Sequence, residues 1–145
     1  MIDKLRQAII SVLKALELDD GLKFVEVTDI ITENFLGYPS AEVIFLDSEG
    51  EIYTTTLNKR TYNFNINVWQ GYTTRDDADQ SSQSDAQIIV DKLTDQVIND
   101  IEHSTELNNL ISIMNPVNAN DKQILTSGEG SAVLQEIEVS MVLLE

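Results

Sequence analysis

The chain has no cysteine among its 145 residues, which excludes disulfides, thiolate metal sites and cysteine nucleophiles. Basic side chains are scarce: 9 Lys and Arg stand against 25 Asp and Glu, for a formal net charge of −16. A chain so poor in cations is excluded from binding nucleic acid by neutralising phosphates, which takes clustered Lys and Arg. No apolar run approaches the roughly 18 residues that span a bilayer. The N-terminus, Met1-Ile-Asp-Lys-Leu-Arg, mixes charge with apolar residues and lacks the basic-then-apolar order of a signal peptide, so the chain is expected to be intracellular when made. Histidine occurs once, at His103, beside Glu102 and with no Gly-x-Ser-x-Gly elbow anywhere, which reads as a surface imidazole favoured by a helix C-terminus. No glycine-rich phosphate loop is present, since Gly128-Glu129-Gly130 is only a turn between strands.

What is present is a globular pattern over a length that suits one domain, 1–145. The segment Lys59–Tyr72 alternates strictly, with Tyr62, Phe64, Ile66 and Val68 on one side and Thr61, Asn63, Asn65 and Asn67 on the other. Period two over this length predicts a strand with one buried face, its wet face a Thr/Asn ladder capped by Trp69. Asp47-Ser48-Glu49-Gly50 carries turn chemistry, so Ala41–Leu46 and Glu51–Leu57 are expected to pair as a hairpin and, with the Thr61–Trp69 strand, form a three-strand meander.

Around it, Ile2, Leu5, Ile9, Val12, Leu13 and Leu16 recur at helical spacing, ended by Asp19-Asp20-Gly21. Leu22–Thr28 is a strand candidate, and Asp29–Phe35 fits either a helical turn or an extended segment leading to Tyr38-Pro39. Residues 73–83 are polar and acidic without period, and are expected to be a mobile loop. Ser84 and Gln87 have capping-box spacing, opening a long helix with Ala86, Ile89, Val90, Leu93, Val97 and Ile101 as its apolar stripe. Glu106–Met114 reads as a second helical piece stopped by Asn115-Pro116, Val117–Leu125 as a weak strand, and Val133–Leu143 as a closing alternating strand. The expected fold is a two-layer α+β domain, a mainly antiparallel sheet with two amphipathic helices on one face.

Asp77, Asp79 and Ser81 alternate as calcium ligands do, but Ser82 occupies the position of the turn glycine and Ile88 that of the bidentate glutamate. A solvated loop is the better reading there, and a metal-dependent hydrolase on that loop ranks last among the functions weighed. No cofactor, metal or catalytic residue is expected.

The order of elements resembles the tail terminator, or tail-completion, proteins of long-tailed bacteriophages. The features that carry it are the amphipathic N-terminal helix, the Gly37-Tyr38-Pro39 junction followed at once by a strand, and the long alternating Thr61–Trp69 strand. The acidic loop, long helix and final strand near the C-terminus complete it. The resemblance implies a non-enzymatic virion protein, assembled in the host cytoplasm and placed at the head-proximal end of the tail. Such proteins form a ring, commonly a hexamer, that ends tail-tube polymerisation and joins the tube to the head. The implied partners are further copies of the chain, the tail tube protein and a head–tail connector, with DNA passing through the lumen unbound and no membrane. On this reading Asn63, Asn65, Asn67, Trp69, Met141 and Leu143 are candidates for the subunit interface, although the Asn ladder equally fits a solvated face. Asp76, Asp77 and Asp79, or the wet face of the long helix, are candidates for an acidic channel lining, solubility being the alternative use of the charge. Another neck protein, or a non-viral adaptor binding a partner through a sheet edge, is the competing function.

Overall fold

The computed structural model describes residues 1–30, 37–72, 79–127 and 130–145, with backbone only at 79–81 and 127. The fold is α+β, as its periodicities require. Among the described residues three helices, α1 (Ile2–Ala15), α2 (Asp79–Glu102) and α3 (Thr105–Leu110), accompany seven strands. The strands are β1 (Glu26–Thr28), β2 (Ser40–Ile52), β3 (Asn58–Tyr72), β4 (Ile113–Met114), β5 (Asn118–Ala119), β6 (Gln123–Ser127) and β7 (Gly130–Leu144). They form one mixed sheet in the order β1-β2-β3-β7-β4, with β5 and β6 also pairing β7. Only the β1–β2 pair is parallel.

The alternating strand is the centre of this sheet. β3 pairs antiparallel with β2 along one side and with β7 along the other, from Lys59↔Leu144 to Tyr72↔Ser131. Fifteen residues of strand span roughly 45–50 Å. Tyr62, Phe64, Ile66 and Val68 are buried beneath the helices together with Ala41 and Val43 of β2 and Ile137, Val139 and Met141 of β7. α1 packs chiefly over β1 and β2, while α2 packs over β3 and β7, so both helices lie on one face. α1 contributes Leu5, Ile9 and Leu13, and α2 contributes Val90, Leu93, Val97 and Ile101, all fully buried. Each such side chain stabilises the fold by about 1.5–3 kcal/mol through burial, and Phe64 meets Phe45 edge-on at 5.3 Å between centroids.

The expected meander is replaced by two long strands. β2 runs unbroken through Asp47–Gly50, and the hairpin turn lies at Tyr53–Leu57. The turn-like composition has cross-strand causes instead. Asp47 accepts a 2.6 Å hydrogen bond from the Asn63 amide, Glu51 pairs with Lys59 at 3.3 Å, and Gly50 leaves room for the Arg60 guanidinium. The actual turn is closed by Thr54, whose hydroxyl accepts from the backbone N–H of Thr56 and Leu57. Leu46 is the extra residue of a β-bulge between Phe45 and Asp47. That insertion changes which side chains of β2 face which side.

Other boundaries move for local reasons. α1 stops at Ala15 because Leu16 turns extended, and Gly21, with φ +86°, serves a separate turn closed by its N–H to the Leu18 carbonyl. α2 begins at Asp79, so Ser84 lies inside the helix rather than capping it, and residues 79–83 of the expected loop are helical. The second helical piece ends at Leu110, and Ile113–Met114 joins β7 instead. Its start is fixed by Ser104, whose hydroxyl accepts from the Leu107 N–H at 3.2 Å. The Leu22–Thr28 candidate shortens to β1, and the Val117–Leu125 candidate resolves into β5 and β6. The Tyr38–Pro39 peptide is cis, and β2 begins one residue later. Most of the ambiguous Asp29–Phe35 segment lies outside the described residues.

Candidate functional site

The face of the sheet turned away from the helices is the surface on which most of the candidate residues meet. Direct pairing places residues opposite one another on the same face, so the rows can be read from the register. Asn67 lies between Glu42 of β2 and Glu136 of β7, Asn65 between Ile44 and Glu138, and Asn63 between Asp47 and Ser140. Farther along, Thr61 lies between Glu49 and Val142, and Lys59 between Glu51 and Leu144. The bulge at Leu46 is what brings Asp47, Glu49 and Glu51 to the side occupied by Glu42. Without it a strand of period two would turn them toward the helices.

The ladder seen in the single strand as uncharged is therefore acidic in the sheet. Six carboxylates, Glu42, Asp47, Glu49, Glu51, Glu136 and Glu138, share this face with one cation, Lys59, which is paired with Glu51. Glu42 is only 2% exposed. Its Oε1 accepts from the Trp69 indole N–H at 2.8 Å and from the Asn67 amide at 3.4 Å. The Asn120 amide donates to Glu138 at 3.3 Å, and the Asn115 amide donates to the Ser140 hydroxyl at 3.2 Å. Asn65 and Asn67 bury their Oδ1 atoms without a hydrogen-bond partner among the described residues, which marks a packed ladder rather than a loosely solvated one. Two residues from Trp69 and on the same face, Gly71 lies under the Tyr38 ring. A Cβ there would come within 2.8 Å of ring carbon Cε2.

The interface candidates thus divide. Asn63, Asn65, Asn67 and Trp69 are brought together on the acidic face, each half-buried. Met141 is on the opposite side of the sheet, fully buried in the chain's own core, so it has no surface to give a neighbour. Leu143 packs partly buried against that core. The alternation of β7 had placed both on the apolar side, and the helices cover it. Of the channel candidates, Asp76 and Asp77 and the side chain of Asp79 lie outside the described residues, as does the side chain of Ser81 in the calcium-like spacing.

His103 is exposed one residue beyond α2, where its Nδ1 donates to the Asn99 carbonyl of the same helix at 2.9 Å. Among the described residues no three Asp, Glu or His side chains converge as a metal set, and no helix is long and apolar enough to cross a membrane.

Sequence reasoning missed Glu42 and the acidic flanks Glu136 and Glu138. The signal was available only as a pairing register: each glutamate looks unremarkable within its own strand. The distal part of the β2–β3 hairpin was also missed as an arm, with Leu46, Ile52 and Tyr53 exposed by 50%, 83% and 55%. The sequence matches no known protein-family model and no curated protein.

Proposed function

We propose that this chain is a structural subunit of a ring at the head-proximal end of a phage tail tube, where it ends tube growth and joins the tail to the head. The observation that carries the reading is the sheet face turned away from the helices, on which six carboxylates meet one paired lysine across three long strands. A bore through which DNA moves must not hold phosphate. A surface of one negative sign repels the polyanion within about a Debye length, roughly 8 Å at physiological ionic strength. This assigns the channel lining to Asn63, Asn65, Asn67, Glu136 and Glu138, with the helices on the outside of the ring. It also disfavours an isologous contact through the ladder, because two such faces pressed together would oppose like charges. No catalytic step is needed for this role.

A second reading is favoured by one feature. β1 pairs β2 only as far as Glu42, and the outer edge of β2 from Val43 to Ile52 has no strand beside it among the described residues. An adaptor could take a partner's strand there. Deleting the gene from a phage that encodes the chain separates the two. Loss of the ring predicts tails of uncontrolled length and unjoined heads. Joined virions with normal tails would contradict it, and a soluble 1:1 complex with a host or phage protein would favour the adaptor.

A further inference from the structure

The two outer edges of the sheet are finished differently. Along β7 the outward carbonyls of Val142, Ser140 and Glu136 accept from the N–H groups of Ser112, Asn115 and Asn120, at 2.8, 3.1 and 2.9 Å. The Leu144 N–H donates to the Ser112 hydroxyl at 3.0 Å, and β6 pairs the stretch from Gly130 to Leu134. Along β2, by contrast, β1 covers only Ser40, Ala41 and Glu42. The direction of the β2 groups beyond them follows from the far end of the sheet. Asn58 and Glu145 exchange N–H to carbonyl bonds both ways, at 2.7 and 3.0 Å, so the Asn58 backbone is turned toward β7. Hydrogen bonding alternates along an antiparallel strand. Lys59, Thr61 and Asn63 are therefore turned toward β2, and their partners Glu51, Glu49 and Asp47 toward β3. The backbone N–H and C=O of Ser48, Gly50 and Ile52 then point outward from the sheet, with no strand beside them among the described residues.

Side chains along this edge are sorted by face. Asp47, Glu49 and Glu51 lie on the side turned away from the helices, Ser48, Gly50 and Ile52 on the other. Glu49 forms no ion pair among the described residues, and Glu51 shares Lys59. A strand added here sets alternate side chains directly beside those three carboxylates, where opposite charge stabilises and like charge does the reverse. Its remaining side chains lie over Gly50 and the exposed Ile52, a place for apolar groups. The bulge at Leu46 interrupts the ladder, so the regular part of the free edge is Asp47–Ile52.

From these observations we infer that the β2 edge from Asp47 to Ile52 takes an extended segment of a different protein, one that alternates basic with apolar residues. A second copy of this chain does not meet that description. Its own β2 would set acid beside acid. Two cations at alternate positions occur in this sequence only at Lys4 and Arg6, which lie within α1. A wholly apolar strand would cover the carboxylates without pairing them, so charge selects among strands that the backbone alone would accept alike. The inference rests on the open edge of the adaptor reading, supplies the chemistry of its partner, and is independent of the ring.

Synthetic peptides of about seven residues, added to the full chain, test it. One alternates lysine with valine, one alternates threonine with valine, and one carries the lysines and valines of the first in two blocks. Affinity is read by fluorescence anisotropy, and location by amide hydrogen exchange in NMR spectra. The alternating basic peptide is expected to bind at least about tenfold tighter than the other two and to protect the amides of Ser48, Gly50 and Ile52. Gly50→Pro removes an outward donor and no bond of the β2–β3 ladder, so it lowers that affinity at least about tenfold, while Gly50→Ala keeps the donor and binds like wild type. Thermal melts check that both variants are folded. Glu49→Gln with Glu51→Gln leaves the backbone alone and abolishes the preference for lysine over threonine. General attraction of a basic peptide to an acidic chain would ignore both block order and the Gly50 variants, and that result overturns the inference. Equal protection by the threonine and lysine peptides overturns the basic partner and leaves the open edge of the adaptor reading standing. No protection of these amides by any peptide overturns both.

Discussion

At the scale of single residues, burial and hydrogen bonding separate side chains that look alike in the strand. Phe64 is fully buried and central, so Phe64→Ala is expected to cost about 3–5 kcal/mol in denaturant unfolding. Trp69 acts through a polar contact instead, its indole N–H donating to a glutamate that is almost wholly removed from water. Trp69→Phe keeps a ring but removes that donor, and is expected to cost about 1–3 kcal/mol, mostly the penalty on the Glu42 carboxylate. The companion change Glu42→Leu should make Trp69→Phe nearly neutral, which a double-mutant cycle reads directly. Equal effects of Trp69→Phe in both backgrounds would show that the hydrogen bond carries little. The sequence made Phe64 legible as core because period two is unambiguous there. It could not reveal Glu42, because a partner 27 residues away decides whether a glutamate in a strand is solvated or buried.

Elements tell a similar story about what local patterns can carry. α1, α2, β3 and β7 were legible because each buries a continuous apolar stripe, and that stripe has a fixed period. The β2–β3 hairpin was misread because Asp-Ser-Glu-Gly has turn chemistry in isolation, while in the fold Asn63, Lys59 and Arg60 supply partners across the strand. The glycines of this hairpin offer a comparison. A Cβ on Gly50 would meet the far end of the long Arg60 side chain, whereas one on Gly71 would meet the face of the bulky Tyr38 ring. Gly71→Ala is therefore expected to destabilise by about 1–3 kcal/mol through overpacking. Gly50→Ala should stay within about 0.5 kcal/mol. Thermal or urea unfolding of the pair checks the order, and a larger loss at Gly50 would mean that Arg60 is held in place. The arm makes a further prediction: Ile52→Ser with Tyr53→Ser leaves monomer stability within about 0.5 kcal/mol, since both are exposed, and improves solubility at high concentration.

On the scale of the whole molecule, the arrangement is one sheet with a helical side and an acidic side. The fold class was legible in the sequence, as was the general acidity. The sidedness was not, because it arises from the register of three strands and from a one-residue bulge that no single-strand pattern reveals. That sidedness is what a tube needs, with one face for the lumen and two flanks for neighbours. The most direct measurement is a cryo-electron-microscopy reconstruction of the assembled particle that contains this chain. The account predicts a closed annulus at the head-proximal tube end, with Asn63, Asn65, Asn67, Glu136 and Glu138 facing the bore and both helices outside. A reconstruction with that ladder packed against another subunit, or with the chain away from the tail axis, would contradict it.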